Sequence, residues 1–309
     1  MRRLLLAFLV TAAPSGPPSL AVYHDGAWHE WWREDRAPAV WRDALPMVHD
    51  AIAWDDSADG LAVGSLRLSG SGEAWRIRAI VVTVDPGRVR FALAGLGPRR
   101  GPPYDWTVRS APRDAALALN AGQFNGKGPW GWIVDSGREL QAPGAGPLAP
   151  AVVVDTGGDV RFVPPDSIPT ARKAGGIRLA FQSWPTLLAG DGEVPAALRQ
   201  ESAGVDLRHR DARLALGMLR DGRLIIVMTR FEGLGGVLES LPFGLTTQES
   251  AALLGALGAR QAVLLDGGTS SQLLVRIKGR THQWTGLRYV PMGLVGRPAG
   301  GRRPGSPPS

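Results

Sequence analysis

"VLLDGGTSSQLLV", Val263 to Val275, sets two apolar runs either side of Asp266-Gly267-Gly268-Thr269-Ser270-Ser271. Asp-Gly and Gly-Gly between β-type runs are the standard signal for a hairpin. On that pattern the segment reads first as a tight turn between two strands. A glycine-rich turn also exposes backbone amides, so the same residues can form a site. The chain around it has to decide.

Immediately upstream, "TTQESAALLGAL" (Thr246 to Leu257) carries a helix signature. Thr246 with Glu249 three residues on makes a capping box. Ala251, Leu254 and Leu257 recur at helical spacing, and Gly258 is a natural stop. "RQAVLL" then reads as a buried strand leading into Asp266.

From Leu61 onward, strands joined by tight turns dominate. "IVVTVDPGRVRFALA", "WIVDSGREL", "AVVVDTGGDVRFV" and "LRDGRLIIVM" each place glycine where a positive φ costs little. Arginines alternate with apolar residues in "RIRAIVV" and "RVRFALA", as on strands with one wet face. A weaker helix is expected over Asp105 to Ala115, leading into the buried strand "AALALN". The fold class is α+β: strand-rich mixed sheets, largely antiparallel, with a few helices in one large domain over 61–296.

The 309 residues are 44% hydrophobic and 20% charged, which suits a globular chain with a real core. Forty-one Gly and 25 Pro favour many chain reversals over a helical bundle. The net charge is +7, but no Lys/Arg block with interleaved aromatics occurs, which argues against nucleic acid as a partner. A phosphate-bearing or acidic-polymer ligand fits the charge as well. With no cysteine, disulfides, thiolate metal sites and a Cys nucleophile are excluded.

At the N-terminus, Arg2 and Arg3 precede the apolar run Leu4 to Val10, and Ser19-Leu20-Ala21 gives a small-x-small pattern. Residues 1–21 therefore read as a cleavable signal peptide, which implies a periplasmic or secreted protein. The run is too short to span a membrane, so no transmembrane helix is expected in the mature chain. Residues 22–60, with Trp28, Trp31, Trp32 and Trp41, read as a segment packed on the body. Trp130, Trp132 and Trp184 are better placed to stack on a sugar. The stretch 297–309, "RPAGGRRPGSPPS", reads as a disordered tail.

Familiar catalytic patterns fail. The five histidines form no metal-ligand spacing, and there is no Gly-x-Ser-x-Gly elbow or Walker loop. "GKGPWG" (Gly126 to Gly131) contains Pro129 and leads into a strand, so it lacks the dinucleotide-binding context. What remains is a set of polar residues at the ends of apolar strands: Asn120 after "ALAL", Arg213 before "LALGM" and Asp266 after "AVLL". Such positions let a side chain leave the core and meet a cleft. Singly, each also suits a turn or a surface charge.

Together, "ALNAGQF" (Ala118 to Phe124), "SWPTLLAGDG" (Ser183 to Gly192), "RLALGM" (Arg213 to Met218) and Gly244 to Ser271 resemble the phosphodiester glycosidase family in order and spacing. The resemblance covers roughly 61–295. Thr269 stands where the family usually has a third glycine. Ala121 and Gln123 stand where it usually has glycine and an aromatic, and Leu214 where it has threonine. The resemblance implies hydrolysis of a sugar–O–phosphodiester, with a carbohydrate phosphodiester or polysaccharide as partner. The glycosidic C1–O bond breaks through an oxocarbenium-like transition state. Phosphate is already a stable leaving anion, so one carboxylate and a set of phosphate donors can suffice.

On this basis Asp266 is expected to be the carboxylate, with Glu249 a second that its capping position favours as structural. Arg213 is expected to clamp phosphate with its planar fork. Asn120 is expected to bind a sugar hydroxyl or a phosphate oxygen. Gly267 and Gly268 bring amides close to an anion, and Thr269, Ser270 and Ser271 add hydroxyl donors. Thr246 and Gln123 complete the substrate-binding set. No cofactor is required by the sequence, although Asp266 is a candidate ligand for a divalent cation. The alternative is a non-catalytic carbohydrate-binding or envelope polysaccharide-associated protein.

Overall fold

The computed structural model describes residues 16–96, 102–200, 205–232 and 243–299. The chain opens with β1 (Ser19–His24), β2 (Ala27–Arg33), the short helix α1 (Pro46–His49), β3 (Ala53–Ala58), β4 (Leu61–Gly70), β5 (Ile77–Val84) and β6 (Val89–Ala94). It continues through β7 (Leu117–Asn120), β8 (Gln123–Asn125), β9 (Gly128–Trp130), β10 (Ile133–Asp135) and β11 (Arg138–Gln141). Next come β12 (Ala151–Asp155), β13 (Val160–Val163), α2 (Ile168–Ala174), β14 (Ile177–Gln182) and β15 (Thr186–Leu188). The last part holds β16 (Leu214–Leu219), β17 (Leu224–Phe231), α3 (Thr247–Ala256), β18 (Ala259–Leu264), β19 (Leu273–Ile277), β20 (Arg280–Trp284) and β21 (Gly293–Pro298).

Among the described residues these strands build a nine-stranded sheet, β15-β18-β16-β17-β5-β4-β1-β2, with β3 beside β4. Two five-stranded sheets follow, β20-β19-β7-β21-β6 and β11-β10-β14-β12-β13, and β8 and β9 form a separate ribbon. The pairings are antiparallel, as the dense turns lead one to expect. One core is shared by all three sheets. Ile80 and Val82 of β5, Leu117 and Leu119 of β7, and Val152 and Phe181 of the third sheet pack in it. Ala79 and Val81, on the other face of β5, join a second core beneath α3. Strands of the large sheet are thus buried on both faces, and β17 is buried along its whole length. Each fully buried Leu, Ile or Val contributes roughly 1.5–3 kcal/mol.

α3 carries the expected capping box: Thr246 Oγ accepts from the Glu249 amide, and the Glu249 carboxylate accepts from the Thr246 amide. Its buried face is wider than the apolar stripe, because the polar Thr247, Glu249 and Ser250 are buried as well. Trp41 of the N-terminal segment lies against Gly255, where a β-carbon would fall 2.2 Å from the indole. That segment does more than pack on the body, since β1, β2 and β3 are strands of the large sheet.

Some expectations change. No helix forms over 105–115; only a 3-10 turn, Val108–Ser110, is present. Pro112 prevents a helix from continuing, and the stretch is tied down by a Trp106–Val290 bridge and by the Val108 amide bonding Gln272 Oε1. The turn at Asp85-Pro86-Gly87 links β5 and β6, but the two strands lie in different sheets. Arg297 and Pro298, placed in the expected tail, continue β21 against Arg90 and Val89 of β6. Residues 300–309 lie outside the described residues. So do residues 1–15 of the expected signal peptide. Ser19, Leu20 and Ala21 belong to β1, and cleavage after Ala21 would remove half of that strand.

Candidate active site

The opening question has a topological answer. β18 belongs to the nine-stranded sheet and β19 to a five-stranded sheet, so Asp266 to Gln272 is not a hairpin turn but a crossing between sheets. Asn120, at the end of β7 and 1% exposed, holds both ends of the crossing. Its Nδ2 donates to the Asp266 carbonyl at 2.6 Å, and its Oδ1 accepts from the Gln272 amide at 3.0 Å. The Asp266 amide donates to the Gly122 carbonyl at 3.1 Å. Asn120 therefore positions the loop, and its side chain is not aimed at a ligand as expected.

The two glycines are required by packing. A β-carbon at Gly267 would lie 2.7 Å from the Ala212 carbonyl oxygen, and one at Gly268 would lie 2.7 Å from Asp211 Oδ2. Gly268 also has φ +59°, a region most side chains avoid. Its amide is engaged by the Ala212 carbonyl at 2.7 Å, which removes it from the expected set of anion donors. The Gly267 and Thr269 amides are not engaged by any backbone carbonyl among the described residues. The Thr269 carbonyl accepts from the Leu287 amide.

Burial pushes the Asp266 carboxyl up to about 6; a Ser270 hydrogen bond and the Arg288 charge oppose the rise, and the Asp211 charge adds to it. Asp266 Oδ2 is buried with no hydrogen-bond partner, as are Ser271 Oγ and Gln272 Nε2. Of the seven such atoms among the described residues, these three fall in one seven-residue crossing. Buried polar atoms are nearly always satisfied, so the unpartnered carboxylate oxygen of Asp266 marks a place built to meet something else. Among the described residues no group of three or more His, Asp or Glu side chains converges to hold a metal ion.

Arg213 is next to this loop, but its guanidinium is partly committed. Nε donates to the Leu245 carbonyl at 2.8 Å, and Nη2 to the His209 carbonyl at 2.6 Å. Burial lowers its proton affinity, while Asp211 and Glu249 oppose that. Among the described residues its Nη1 makes no hydrogen bond. Glu249 is fully buried, and both carboxylate oxygens are held by Arg210 at 2.6 and 2.7 Å. That engagement, with the cap to the Thr246 amide, makes Glu249 structural. Thr246 serves as the cap of α3 and accepts on its carbonyl from Ser250. Gln123 Nε2 donates to the Trp184 carbonyl, which ties the β8–β9 ribbon to the segment between β14 and β15.

Two residues at the loop were not picked out by the sequence. Asp211 lies against Gly268, and burial raises its proton affinity. Arg288 is exposed; its charge acts on Asp266 and its guanidinium lies 5.8 Å from the Phe124 ring. Asp211 had one signal, its place two residues before Arg213. Arg288, in "GLRYV", had none. Of the tryptophans expected to stack on sugar, Trp132 is 1% exposed and hydrogen-bonded to Glu139, so its face is not available. Trp130 and Trp184 are half-buried. A groove of about 1120 Å³ lies at the far end of β5, between Arg88, Thr156, Asp159 and Arg178, and contains none of the site residues.

Fold and loop together define a class: an antiparallel β scaffold whose sheets are joined by a glycine–serine crossing that bears one half-buried acid. The chain belongs to the phosphodiester glycosidase family, whose profile matches residues 113–296, more than half of its length. The structure is similar to the zebrafish N-acetylglucosamine-1-phosphodiester alpha-N-acetylglucosaminidase (NAGPA) catalytic domain, auto-inhibited by its pro-peptide. That match has a TM-score of 0.57 at 14% identity and covers 84% of this chain and 95% of that one. It is also similar to a hypothetical protein from Synechocystis, with a TM-score of 0.51 at 15% identity, covering 80% of this chain and 64% of that one. No curated protein matches the sequence. Among the described residues no helix is long and apolar enough to cross a membrane.

Proposed function

We propose that this chain is an exported hydrolase that cleaves the glycosidic C1–O bond of a sugar-1-phosphodiester, with Asp266 as its carboxylate. The observation that carries this reading is the crossing from β18 to β19, which bears a half-buried acid, Asp266, with a buried carboxylate oxygen that no protein group satisfies. Family membership supports it. Export rests on the basic and apolar N-terminal stretch.

In the reaction, water oxygen bonds to C1 as the C1–O bond breaks, and that bond's electron pair stays with the phosphate oxygen. Asp266 stabilises the developing positive charge on the sugar and takes the proton from water. A proton affinity raised to about 6 makes it a better base than an ordinary carboxylate while leaving it mostly ionised at neutral pH. Arg288 and the free edge of Arg213 hold the phosphate, and the Gly267 and Thr269 amides supply neutral donors. Ser270 orients Asp266 through its hydrogen bond.

The test is release of free sugar from a sugar-1-phosphodiester by the purified chain and by Asp266→Asn and Arg288→Ala variants. Asp266→Asn is expected to lower turnover by roughly 10²–10³. Arg288→Ala is expected to act mainly on KM. Folded variants with wild-type rates would refute the assignment.

A further inference from the structure

We propose that the groove at the far end of β5 is a second binding site, separate from the Asp266 loop, and that it holds a segment of an acidic polysaccharide. Thr229, whose hydroxyl accepts from the Arg213 amide, pairs with Ala79 of β5, whereas the groove begins past the other end of that strand, at Pro86. The run from Ala79 to Asp85 puts about 20 Å between the two places. The inference does not depend on the reaction assigned to Asp266.

The groove, about 1120 Å³, takes its walls from all three sheets. The corner Pro86 to Arg88 leaves the nine-stranded sheet, Arg90 lies on β6, and Arg178 lies on β14 of the third sheet. Arg178 Nη1 donates to the Phe91 carbonyl of β6 at 2.8 Å, which fixes this guanidinium at the sheet junction. The β12–β13 turn, Thr156 to Asp159, forms another wall. A β-carbon at Gly158 would meet nothing within 4 Å, so the turn leaves its side of the groove open. The charged residues of the groove are Arg88, Arg90 and Arg178 with Asp59 and Asp159. An adjoining hollow shares Asp59 and Arg88 with it and adds Lys278 and Arg276. Arg88 lies 3.5 Å from Asp85, and Arg276 is spent on backbone carbonyls. Arg90, Arg178 and Lys278 have no carboxylate partner among the described residues, and Asp59 and Asp159 have no cationic one.

Opposite charges that share a groove without pairing suit a ligand that meets each of them separately. A guanidinium fork binds a carboxylate or sulfate group through two oxygens. An aspartate accepts hydrogen bonds from hydroxyls. An acidic polysaccharide offers both partners, because its anionic groups are spaced by hydroxyl-bearing rings. A densely charged chain such as polyphosphate sets an anion against Asp59 and Asp159, where like charges repel. A neutral glycan leaves the arginines without an anion. The volume exceeds the roughly 300–1,000 Å³ of small-molecule sites, which suits a stretch of polymer. The chain's net charge of +7 draws such a polymer to the surface, and the groove gives it a place to settle.

Binding is measured by isothermal titration calorimetry in about 0.15 M salt, where exposed charges more than roughly 8 Å apart are screened. The probes are polygalacturonate oligomers, dextran oligomers of the same length, and polyphosphate. Wild type is expected to bind polygalacturonate, to bind polyphosphate more weakly and to ignore dextran. Arg88→Ser with Arg178→Ser, checked for folding by circular dichroism, is expected to weaken polygalacturonate binding roughly tenfold or more. Arg88→Ser alone, at an exposed position, is expected to act in the same direction. Arg42→Ser with Arg138→Ser removes the same charge from exposed positions outside the groove and is expected to change binding by less than about twofold. An equal loss in that control would reduce the effect to net charge and overturn the site. Asp159→Ala decides the ligand class. It is expected to weaken polygalacturonate and to tighten polyphosphate; tightening of both would overturn the assignment to a polysaccharide. Amide shifts on adding polygalacturonate are expected at Gly87, Gly157 and Gly158. No binding of polygalacturonate, or shifts gathered around Asp266 instead, would overturn the proposal.

Discussion

Asp266 binds its proton more tightly than it would in water. Its carboxyl titrates at about 6 instead of 3.8, chiefly because burial disfavours the charge. A carboxyl that binds its proton more tightly when folded favours the fold at low pH. That advantage is lost as pH rises from about 4 through about 6. Asp266→Asn is therefore expected to stabilise the protein at pH 7.5 and to be near neutral below pH 4, as urea unfolding at the two pH values would show. At about 1.4 kcal/mol per tenfold change in proton affinity, the gain is at most about 3 kcal/mol. Asn120 is the opposite case. Its removal leaves the buried Gln272 amide and Asp266 carbonyl unpaired. Asn120→Ala is expected to lower stability by about 1–3 kcal/mol, visible in the urea midpoint, and to reduce kcat by loosening the loop. The sequence placed Asn120 at the right strand end but not in this role. Its partners lie 146 and 152 residues away, beyond any local pattern.

α3 shows which features a sequence can carry at the scale of an element. The capping box was legible because Thr246 and Glu249 are three residues apart and meet whatever else the chain does. Arg210 was not, since only the fold brings it to Glu249. Thr246→Ala is expected to cost about 1 kcal/mol. Glu249→Ala is expected to cost about 3–5 kcal/mol, because it strands a nearly buried guanidinium. Thermal unfolding of the two variants separates a cap from a buried pair. Elsewhere local reading failed for a stated reason. Asp105 to Ala115 holds Pro112 and is fixed by contacts from Gln272 and Val290, so tertiary bonds replace helical ones.

Across the whole molecule, the turns were legible and the assignment of strands to sheets was not. Asp85-Pro86-Gly87 and Asp266 to Gln272 have hairpin composition, yet both carry the chain from one sheet to another. The first is only a corner, and the second is the candidate site. The sheets are also tied at their edges. His282 Nε2 lies 2.7 Å from Asp56 Oδ2, and Arg280 joins them, linking β20 to β3. These partners hold the Asp56 carboxyl below its ordinary range. Stability from this tie is present at neutral pH and is lost as acid protonates Asp56. Asp56→Asn is expected to lower the unfolding temperature at pH 7 and to have no effect once Asp56 is protonated. Such cross-sheet ties join the two sheets between which the crossing sets Asp266. The most direct measurement is sugar release from a sugar-1-phosphodiester by wild type and Asp266→Asn, side by side and with folding confirmed. Turnover by wild type with a loss of roughly 10²–10³ in the variant is the expected result. Equal rates, or no release by a well-folded wild type, would contradict it.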